Sequence, residues 1–256
     1  SKKAVDSTMT FEKIPSQFLG EMILSNSNPA EIPVVFSAPV SEFKIFPSNS
    51  DEKIENKYYD GDLLASDAVV ELYKNSVDVT TIAKVLSIGM LGRKKNRKLV
   101  PTKWSITAAD DIVSMHLLKK IKNNAILDYY IVFTFSHLAN YYSIIFIPDD
   151  VWNFEMIESW IDTNGKVHVG SDYESAKNID HYPSIAGAYF AARLAAAEFL
   201  LRKRRRASVL VLREIHPEYF VSLGVWQIRE GIRESLKLKG KKFETFDSAL
   251  KYGISK

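Results

Sequence analysis

The densest group of chemically active side chains lies at residues 93–103. Six cations fall within these eleven residues: Arg93, Lys94, Lys95, Arg97, Lys98 and Lys103. Pro101 interrupts the run and keeps the residue before it out of helical geometry, so the sequence predicts an extended loop. Beyond it, Thr107 and Asp110 have the spacing of a capping box, which predicts a helix that starts at Thr107. The free N–H groups of a helix start beside cations favour binding of a phosphate, although an ordinary solvated loop has the same composition.

A second cationic run ends the apolar helix predicted over residues 184–206. It comprises Arg202, Lys203, Arg204, Arg205 and Arg206. Cations suit a helix C-terminus because the helix dipole is negative there, but five in succession also favour an anionic partner. Arg193 lies inside the apolar part of the same helix. A buried arginine requires a partner, which is either a structural carboxylate or a bound anion.

Candidate acids and bases occupy two places. Asp110 and Asp111 fall in the first turn of the helix predicted after the basic loop, where a carboxylate can act as a base or simply stabilise the helix dipole. The second group is Arg213, Glu214, His216 and Glu218. It ends the clearest buried strand, predicted over residues 207–215, and polar groups at a strand end are typical of functional sites. His216 or Glu218 can serve there as a general base, or the group is a surface turn with an arginine–glutamate network.

The composition limits the classes of protein. The chain has 256 residues, of which 46% are hydrophobic and 12% aromatic, enough for a sizeable core. It has no cysteine, which excludes disulfides, thiol catalysis and cysteine zinc sites within these residues, and we expect neither a metal nor a cofactor. The net charge of +3 is below that of a dedicated nucleic-acid module. No apolar run is long enough to span a membrane and no leader motif is present, so we expect a cytoplasmic protein with no membrane partner.

The elements that position these residues indicate an α+β fold. Prolines interrupt residues 1–60, which predicts an extended N-terminal segment that wraps the core, with a surface linker over residues 47–60. Residues 61–256 are predicted to form the core domain.

Within this core, periodicity predicts two short helices over residues 65–89, either a helix-turn-helix or a helix hairpin packed on the core. Two β-rich runs at residues 126–135 and 141–147 predict an antiparallel hairpin, and residues 152–160 predict a short helix. We expect the helix over residues 184–206 to be the longest and the most buried. The expected architecture is a mixed, largely antiparallel sheet packed with a long central helix and a helix hairpin.

Two long segments resemble those of a known family. They are GRKKNRKLVPTKWSITAADD at residues 92–111 and PSIAGAYFAARLAAAEFLLRKRRRASVLVLREIHPEYFVSLGVWQIRE at residues 183–230. Both are similar to segments of the archaeal Nre family, and the matching order covers most of residues 50–240. The resemblance implies a role in the DNA-damage response, with an N-terminal cysteine zinc finger and a C-terminal peptide that binds the sliding clamp.

This sequence departs from the family on both of those modules. It has no cysteine, and it has no Gln-x-x-aliphatic-x-x-aromatic-aromatic tail. We therefore expect either a central domain or a member that lacks both modules, with the sliding clamp as a partner only of a longer form. The family motif falls on Arg93, Lys98, Pro101, Trp104, Ser105, Thr107, Asp110, Arg193, Arg213, Glu214, Glu218, Trp226 and Arg229, to which the resemblance assigns no roles.

Two hypotheses account for these residues. In the first, the chain is a non-catalytic DNA-repair factor whose cationic runs neutralise backbone phosphates while Trp104 or Trp226 stacks on exposed bases. In the second, it is a nucleotide-binding or nucleotide-hydrolysing enzyme. Its phosphate site would use Arg97, Lys98, Arg193 and Arg213, with Asp110, His216 or Glu218 as the base.

Geometry separates the two hypotheses. The sequence contains no P-loop, dinucleotide fingerprint, zincin motif or nucleophile elbow that would name a reaction. We expect the two family motifs to meet in space. An exposed basic stripe fits DNA, whereas one concave pocket lined by both motifs fits a nucleotide.

Overall fold

The structure is a computed structural model that describes residues 8–11, 43–46, 51–175, 184–219 and 223–255. They fall into two compact units, one that ends at Thr102 and one that begins at Lys103. None of the helices in these ranges is long and apolar enough to cross a membrane.

The first unit contains two short strands and three helices. They are β1 (Thr8–Phe11), antiparallel to β2 (Phe43–Phe46), and the helices α1 (Glu52–Tyr59), α2 (Ala65–Lys74) and α3 (Val79–Ser87). The predicted helix pair is present as α2 and α3, and the carboxylate of Asp78 accepts a hydrogen bond of 2.8 Å from the Thr80 N–H at the start of α3. The surface linker predicted over residues 47–60 is wrong where it is described: Asp51 caps α1, and Ile54 buries an apolar side chain.

The second unit contains the whole six-stranded sheet. Its elements are α4 (Thr102–Ile121), β3 (Ala125–Ile126), β4 (Tyr130–His137), β5 (Asn140–Ile147), β6 (Asn153–Ile161), β7 (Val167–Ser175), α5 (Ala186–Lys203), β8 (Arg205–Arg206), β9 (Ser208–Ile215), α6 (Trp226–Ser235), β10 (Lys241–Phe243) and α7 (Phe246–Ile254). The α+β class, the long buried helix and the predicted β4–β5 hairpin are confirmed.

The main sheet has six strands in the order β10-β4-β5-β9-β6-β7. The central strand β9 pairs antiparallel with β5 and parallel with β6, and the remaining pairs are antiparallel. The sheet is therefore mixed and largely antiparallel, as predicted. A separate parallel pair, β3 with β8, aligns Ala125 with Arg205 and Ile126 with Arg206.

Alternation along the strands directs apolar side chains to both faces of the sheet. On one face, Val132, Ile145 and Leu210 pack against Ala249 of α7. On the other face, the rings of Phe133 and Phe146 lie 5.2 Å and 4.7 Å from the ring of Phe199 on α5. Helices thus cover parts of both faces, which explains why β5 and β9 are nearly continuous in apolar residues.

Helix α5 is buried because small residues make up much of its surface. Its alanines from Ala188 to Ala197 are all buried. The side chain of Asp172 accepts hydrogen bonds from Ser184 Oγ (2.9 Å) and the Ile185 N–H (2.7 Å), which holds the start of the helix. At Gly187 an added Cβ would lie 2.9 Å from Val225 Cγ1, so only glycine allows this approach before α6.

Two predicted helix boundaries are wrong. Helix α4 begins at Thr102, not at Thr107, since a proline such as Pro101 fits a helix start, where its missing N–H needs no partner. Thr107 therefore lies in the second turn and donates its hydroxyl to the Lys103 carbonyl at 3.0 Å instead of capping. Helix α5 ends earlier than predicted, because Arg204 adopts a left-handed conformation (φ 53°). At 18 residues α5 is shorter than α4, which has 20.

The short helix predicted over residues 152–160 is also wrong. These residues form β6, whose buried side chains Phe154, Met156 and Glu158 follow a period of two. The aromatic content suits a strand as well as a helix, and pairing with β7 and β9 decides the outcome.

Candidate functional site

The basic loop of the first unit is held in place by one of its own cations. Arg97 donates hydrogen bonds to the carbonyls of Gly92 (2.7 Å), Tyr58 (2.8 Å) and Asp60 (3.1 Å), and its guanidinium carbon lies 5.0 Å from the centre of the Tyr58 ring. Residues Lys94–Asn96 form a short 3₁₀ turn inside the loop. Arg97 therefore holds the loop in place through hydrogen bonds to three backbone carbonyls and a contact with the Tyr58 ring.

The other cations of this loop point into solvent. Arg93, Lys94, Lys95 and Lys98 are exposed. No carboxylate forms an ion pair with any of these four side chains among the residues that the structure describes. Within the described part of the chain these four cations have no carboxylate partner, and on a loop whose backbone is held in place they make a positive surface suited to phosphate groups.

In the second unit, Arg193 is fully buried and surrounded by acceptors. Its Nη1 donates to Glu174 Oε2 at 2.7 Å, its Nε donates to Ser114 Oγ at 3.0 Å, and its Nη2 forms an ion pair with Asp111. Glu174 also accepts a hydrogen bond of 2.7 Å from Trp152 Nε1. The buried charge of Arg193 is therefore balanced by protein carboxylates.

Arg229 and Asp110 form a second buried pair. The distance from Arg229 Nη1 to Asp110 Oδ1 is 2.5 Å, and both side chains are at most 1% exposed. Burial raises the pKa of the Asp110 carboxyl to about 6, although the nearby Arg229 guanidinium lowers it. Arg229 and Arg233 both contact Glu230, and Arg233 also donates to both oxygens of Glu198.

The third buried arginine, Arg213, lies on β9. Its Nη1 donates to Glu158 Oε1 at 2.6 Å, and its Nε donates to Asn140 Oδ1 at 2.9 Å. Glu158 projects from the adjacent strand β6, where it is the register partner of Arg213. Burial raises the pKa of the Glu158 carboxyl against the opposing effect of Arg213.

The two family motifs meet in space, as predicted. The contacts are the pairs Asp110–Arg229 and Asp111–Arg193, which join α4 to α6 and to α5. They are buried ion pairs, and every charge in them has an opposite partner. The two ion pairs hold α4, α5 and α6 together, so these four motif residues contribute to the fold.

The remaining motif residues on α4 and α6 divide by exposure. Ser105 and Thr107 are buried within the second unit. Trp104 is 49% exposed, with Lys103 Nζ at 5.8 Å from its ring centre, and Trp226, the first residue of α6, is 39% exposed. Trp104 and Trp226 are thus partly exposed, as the DNA hypothesis requires of a stacking residue.

His216 and Glu214 form an exposed pair at the end of β9. Their closest atoms, Nε2 and Oε1, are 2.6 Å apart, and the Tyr141 ring lies 4.7 Å from the imidazole. Beside them is a cavity of about 210 Å³ lined by Tyr141, Ser143, Ile157, Ser159, Leu212, Arg213, Glu214, Gly253 and Ile254. A carboxylate that orients an imidazole is the usual arrangement of a general base. Glu218 is exposed on the following turn.

The acidic partners of the buried arginines were not identified from the sequence. They are Glu158 for Arg213, Glu174 and Asp111 for Arg193, and Glu230 for Arg229; the sequence suggests for Asp111 only a role as a base or in the helix dipole. One signal was available for the first two: Glu158 and Glu174 stand at inward positions of alternating strands, where an acid needs a buried cation. No group of three or more His, Cys, Asp or Glu side chains within the described ranges is arranged to hold a metal ion.

Residues 1–164 match the family described as Archaeal Nre, N-terminal, and residues 174–256 match Archaeal Nre, C-terminal. The chain belongs to the archaeal Nre family. It is 37% identical to DNA repair protein NreA of Archaeoglobus fulgidus over 223 residues, which covers 85% of this chain and 56% of that protein. It is 37% identical to NreB of the same organism, with 98% of this chain and 63% of NreB covered.

The Nre match extends to a second organism. DNA repair protein NreA of Haloferax volcanii is 35% identical over 200 residues, which covers 75% of this chain and 47% of that protein. The chain therefore spans about half to two thirds of the length of these Nre relatives. No solved structure matches it.

Proposed function

We propose that this chain is a DNA-repair protein of the Nre type that binds the DNA backbone through exposed cations. The observation that carries the proposal is that some cations of the two motifs are buried and paired, whereas others are exposed. Arg193, Arg213 and Arg229 are buried and each is paired with a carboxylate. The loop cations Arg93 and Lys98 are exposed and unpaired among the described residues.

This division favours DNA over a small nucleotide. A phosphate clamp needs cations whose hydrogen-bond donors are available, but Arg193 and Arg213 already donate to carboxylates, a serine and an asparagine. Displacing those partners would leave buried negative charges, which costs several kcal/mol. Exposed cations pay no such cost when they replace counterions around a phosphate backbone.

The names of the relatives agree with this proposal. Three relatives at 35 to 37% identity are named DNA repair proteins. Among the motif residues, Trp104 adds an exposed aromatic ring beside Lys103, an arrangement that suits an unpaired base next to its phosphate.

The test is fluorescence anisotropy of labelled duplex and single-stranded oligonucleotides over a salt series, with unlabelled AMP and ATP as competitors. We expect an affinity that falls steeply as salt rises, little dependence on sequence, and no displacement by the mononucleotides. Absence of binding to either oligonucleotide at low salt would overturn the proposal.

The second candidate function is a nucleotide-binding or nucleotide-hydrolysing enzyme. It is favoured by the His216–Glu214 pair, which lies beside a cavity and resembles an oriented general base. The cavity, at about 210 Å³, is below the usual volume of roughly 300 Å³ or more for a ligand pocket. Its lining includes Arg213 and Glu214 of the second motif and no residue of the first.

A hydrolysis assay separates the two functions. If the enzyme hypothesis holds, the protein releases phosphate or a nucleoside monophosphate from ATP, and His216→Gln abolishes the release while leaving the fold intact. If the DNA hypothesis holds, no turnover appears and His216→Gln binds DNA as the parent protein does.

A further inference from the structure

The ends of α4 and α5 bring two distant cationic segments together. Helix α4 ends at Ile121 and helix α5 ends at Lys203, and the strands β3 and β8 that follow them pair in parallel. Arg206 Nη1 donates to the Lys122 carbonyl at 3.3 Å, and the Leu127 N–H donates to the Arg206 carbonyl at 2.9 Å. Residues separated by about 80 positions in the sequence are thus fixed side by side within the second unit.

This surface, which we call the helix-end surface, contains eight cations. They are Lys119, Lys120, Lys122, Arg202, Lys203, Arg204, Arg205 and Arg206. Within the described ranges, none of them forms an ion pair with a carboxylate. The acids beside Arg202 are already engaged: Glu198 and Glu230 bind Arg233, and Glu234 binds Lys237.

The charge of the helix-end surface exceeds what the helix ends explain. Each helix C-terminus carries about half a negative charge, so two helix ends balance only about one cation. Among the described residues that follow β3 directly in the chain, Asp128 is the acid, and it balances at most one more. The three acids beside Arg202 share two cations and so balance about one more, which leaves roughly five positive charges. An isolated monomer gains nothing from holding so many like charges together.

Two buried donors at the same place add to this surplus. Arg206 Nε and Asn124 Nδ2 are buried and have no hydrogen-bond acceptor among the described residues. Asn124 directly precedes Ala125, the register partner of Arg205. The junction therefore leaves two side-chain donors without an acceptor in the described part of the chain, which an anion bound there would supply.

We propose that the helix-end surface binds the phosphate backbone of duplex DNA without regard to sequence. The inference rests on the proposed function and names a second contact surface for it. Neither residues 119–126 nor residues 202–206 include an aromatic residue, so the surface lacks the rings on which single strands stack. Trp104 lies 18 positions before Lys122, which is about 27 Å along a helix, so its ring is outside the surface. A duplex has the higher charge density and gains most from a purely cationic contact.

The test compares two triple variants with equal loss of charge. Lys119→Gln, Lys120→Gln and Lys203→Gln remove three cations from the helix-end surface. Lys74→Gln, Lys166→Gln and Lys251→Gln remove three exposed lysines elsewhere and serve as the control. Binding to a 30-base-pair duplex and to the matching single strand is measured by anisotropy from 50 to 300 mM salt, and far-UV circular dichroism verifies the fold of each variant.

We expect the helix-end variant to lose at least about tenfold in duplex affinity at low salt. Its plot of log affinity against log salt should become shallower by about three, since each phosphate contact contributes about 0.9. The control variant should keep most of the duplex affinity and most of the slope of log affinity against log salt. A helix-end variant that matches the control while the parent protein binds DNA would overturn this surface and leave the proposed function standing. A larger loss on the single strand than on the duplex would also overturn it, whereas a parent protein that binds no DNA would overturn both.

Discussion

Arg193 on α5 donates a hydrogen bond of 2.7 Å to Glu174 on β7, and both side chains are buried. The contact joins the most buried helix to an edge strand of the sheet. Asp111 of α4 binds the same guanidinium. Three elements from distant parts of the sequence therefore depend on one cation, which makes Arg193 a test of what the family motif does.

We expect Arg193→Met to reduce the free energy of unfolding by about 3 kcal/mol or more, because it leaves Glu174 buried without a counter-charge. Urea unfolding measures the change. The double variant Arg193→Met, Glu174→Gln should recover part of it, and Arg202→Met, on the exposed end of the same helix, should change it by about 0.5 kcal/mol or less. If Arg193→Met keeps its stability but loses DNA binding, the residue has a functional role instead.

The loop of the first unit provides a second prediction. Lys94→Gln, Lys95→Gln and Lys98→Gln together should weaken DNA binding and make the salt dependence shallower by about three, because the three exposed cations contact phosphates. The experiment is the same anisotropy titration, with Lys74→Gln, Lys166→Gln and Lys251→Gln as the control.

A substitution at Arg97 can test the effect of loop order on DNA binding separately from the effect of loop charge. Arg97→Lys keeps the charge but cannot donate to the carbonyls of Gly92, Tyr58 and Asp60 at once. We expect it to weaken DNA binding through loss of loop order while the salt slope stays near that of the parent protein. An affinity equal to the parent's would show that the loop does not need to be held in place.

The parts of the fold that could be predicted are those set by local pattern. Strand β9 and helices α2 and α3 follow directly from the spacing of their apolar residues. The start of α4 does not follow from local pattern, because a proline such as Pro101 disfavours helix in the residue before it but also fits the first turn of a helix. Strand β6 does not follow from local pattern either, because its aromatic residues suit a helix or a strand until β7 and β9 pair with it.

Which acid pairs with which buried arginine cannot be predicted from local pattern, because it depends on how distant strands and helices pack. Glu158 meets Arg213 because β6 and β9 run in parallel in one particular register, and a shift of one residue would turn the acid to the other face. The helix-end surface has the same origin, since the pairing of Ala125 with Arg205 is a contact between residues that no local pattern connects.

A pH dependence of stability follows from Asp110. Its carboxyl has a pKa of about 6 in the folded chain, against 3.8 for the ordinary group, so the folded state keeps a proton that the unfolded state has lost. The contribution of Asp110 to stability should therefore be full below about pH 4 and decline as the pH rises to about 6, by up to about 3 kcal/mol.

Asp110→Asn tests this decline, because an amide has no proton to lose. Urea unfolding of both proteins from pH 4 to pH 7 isolates the effect, since the contributions of the other carboxylates cancel in the difference. We expect the free energy of unfolding of Asp110→Asn to rise relative to that of the parent protein as the pH rises. If the free energies of unfolding of the two proteins differ by the same amount at every pH, the raised pKa of Asp110 is contradicted.

The turn between β4 and β5 stores backbone strain that a substitution can release. Leu138 and Ala139 form its two central positions, with φ values of 49° and 54°, a left-handed conformation that asparagine and glycine adopt more readily. Leu138 is 42% exposed, so replacing it sacrifices little burial. We expect Leu138→Asn with Ala139→Gly to raise the free energy of unfolding by about 1 kcal/mol, measured with urea. Ala139→Val, which is β-branched, should lower it, and a stabilising Ala139→Val would mean that the turn is not strained as its φ values indicate.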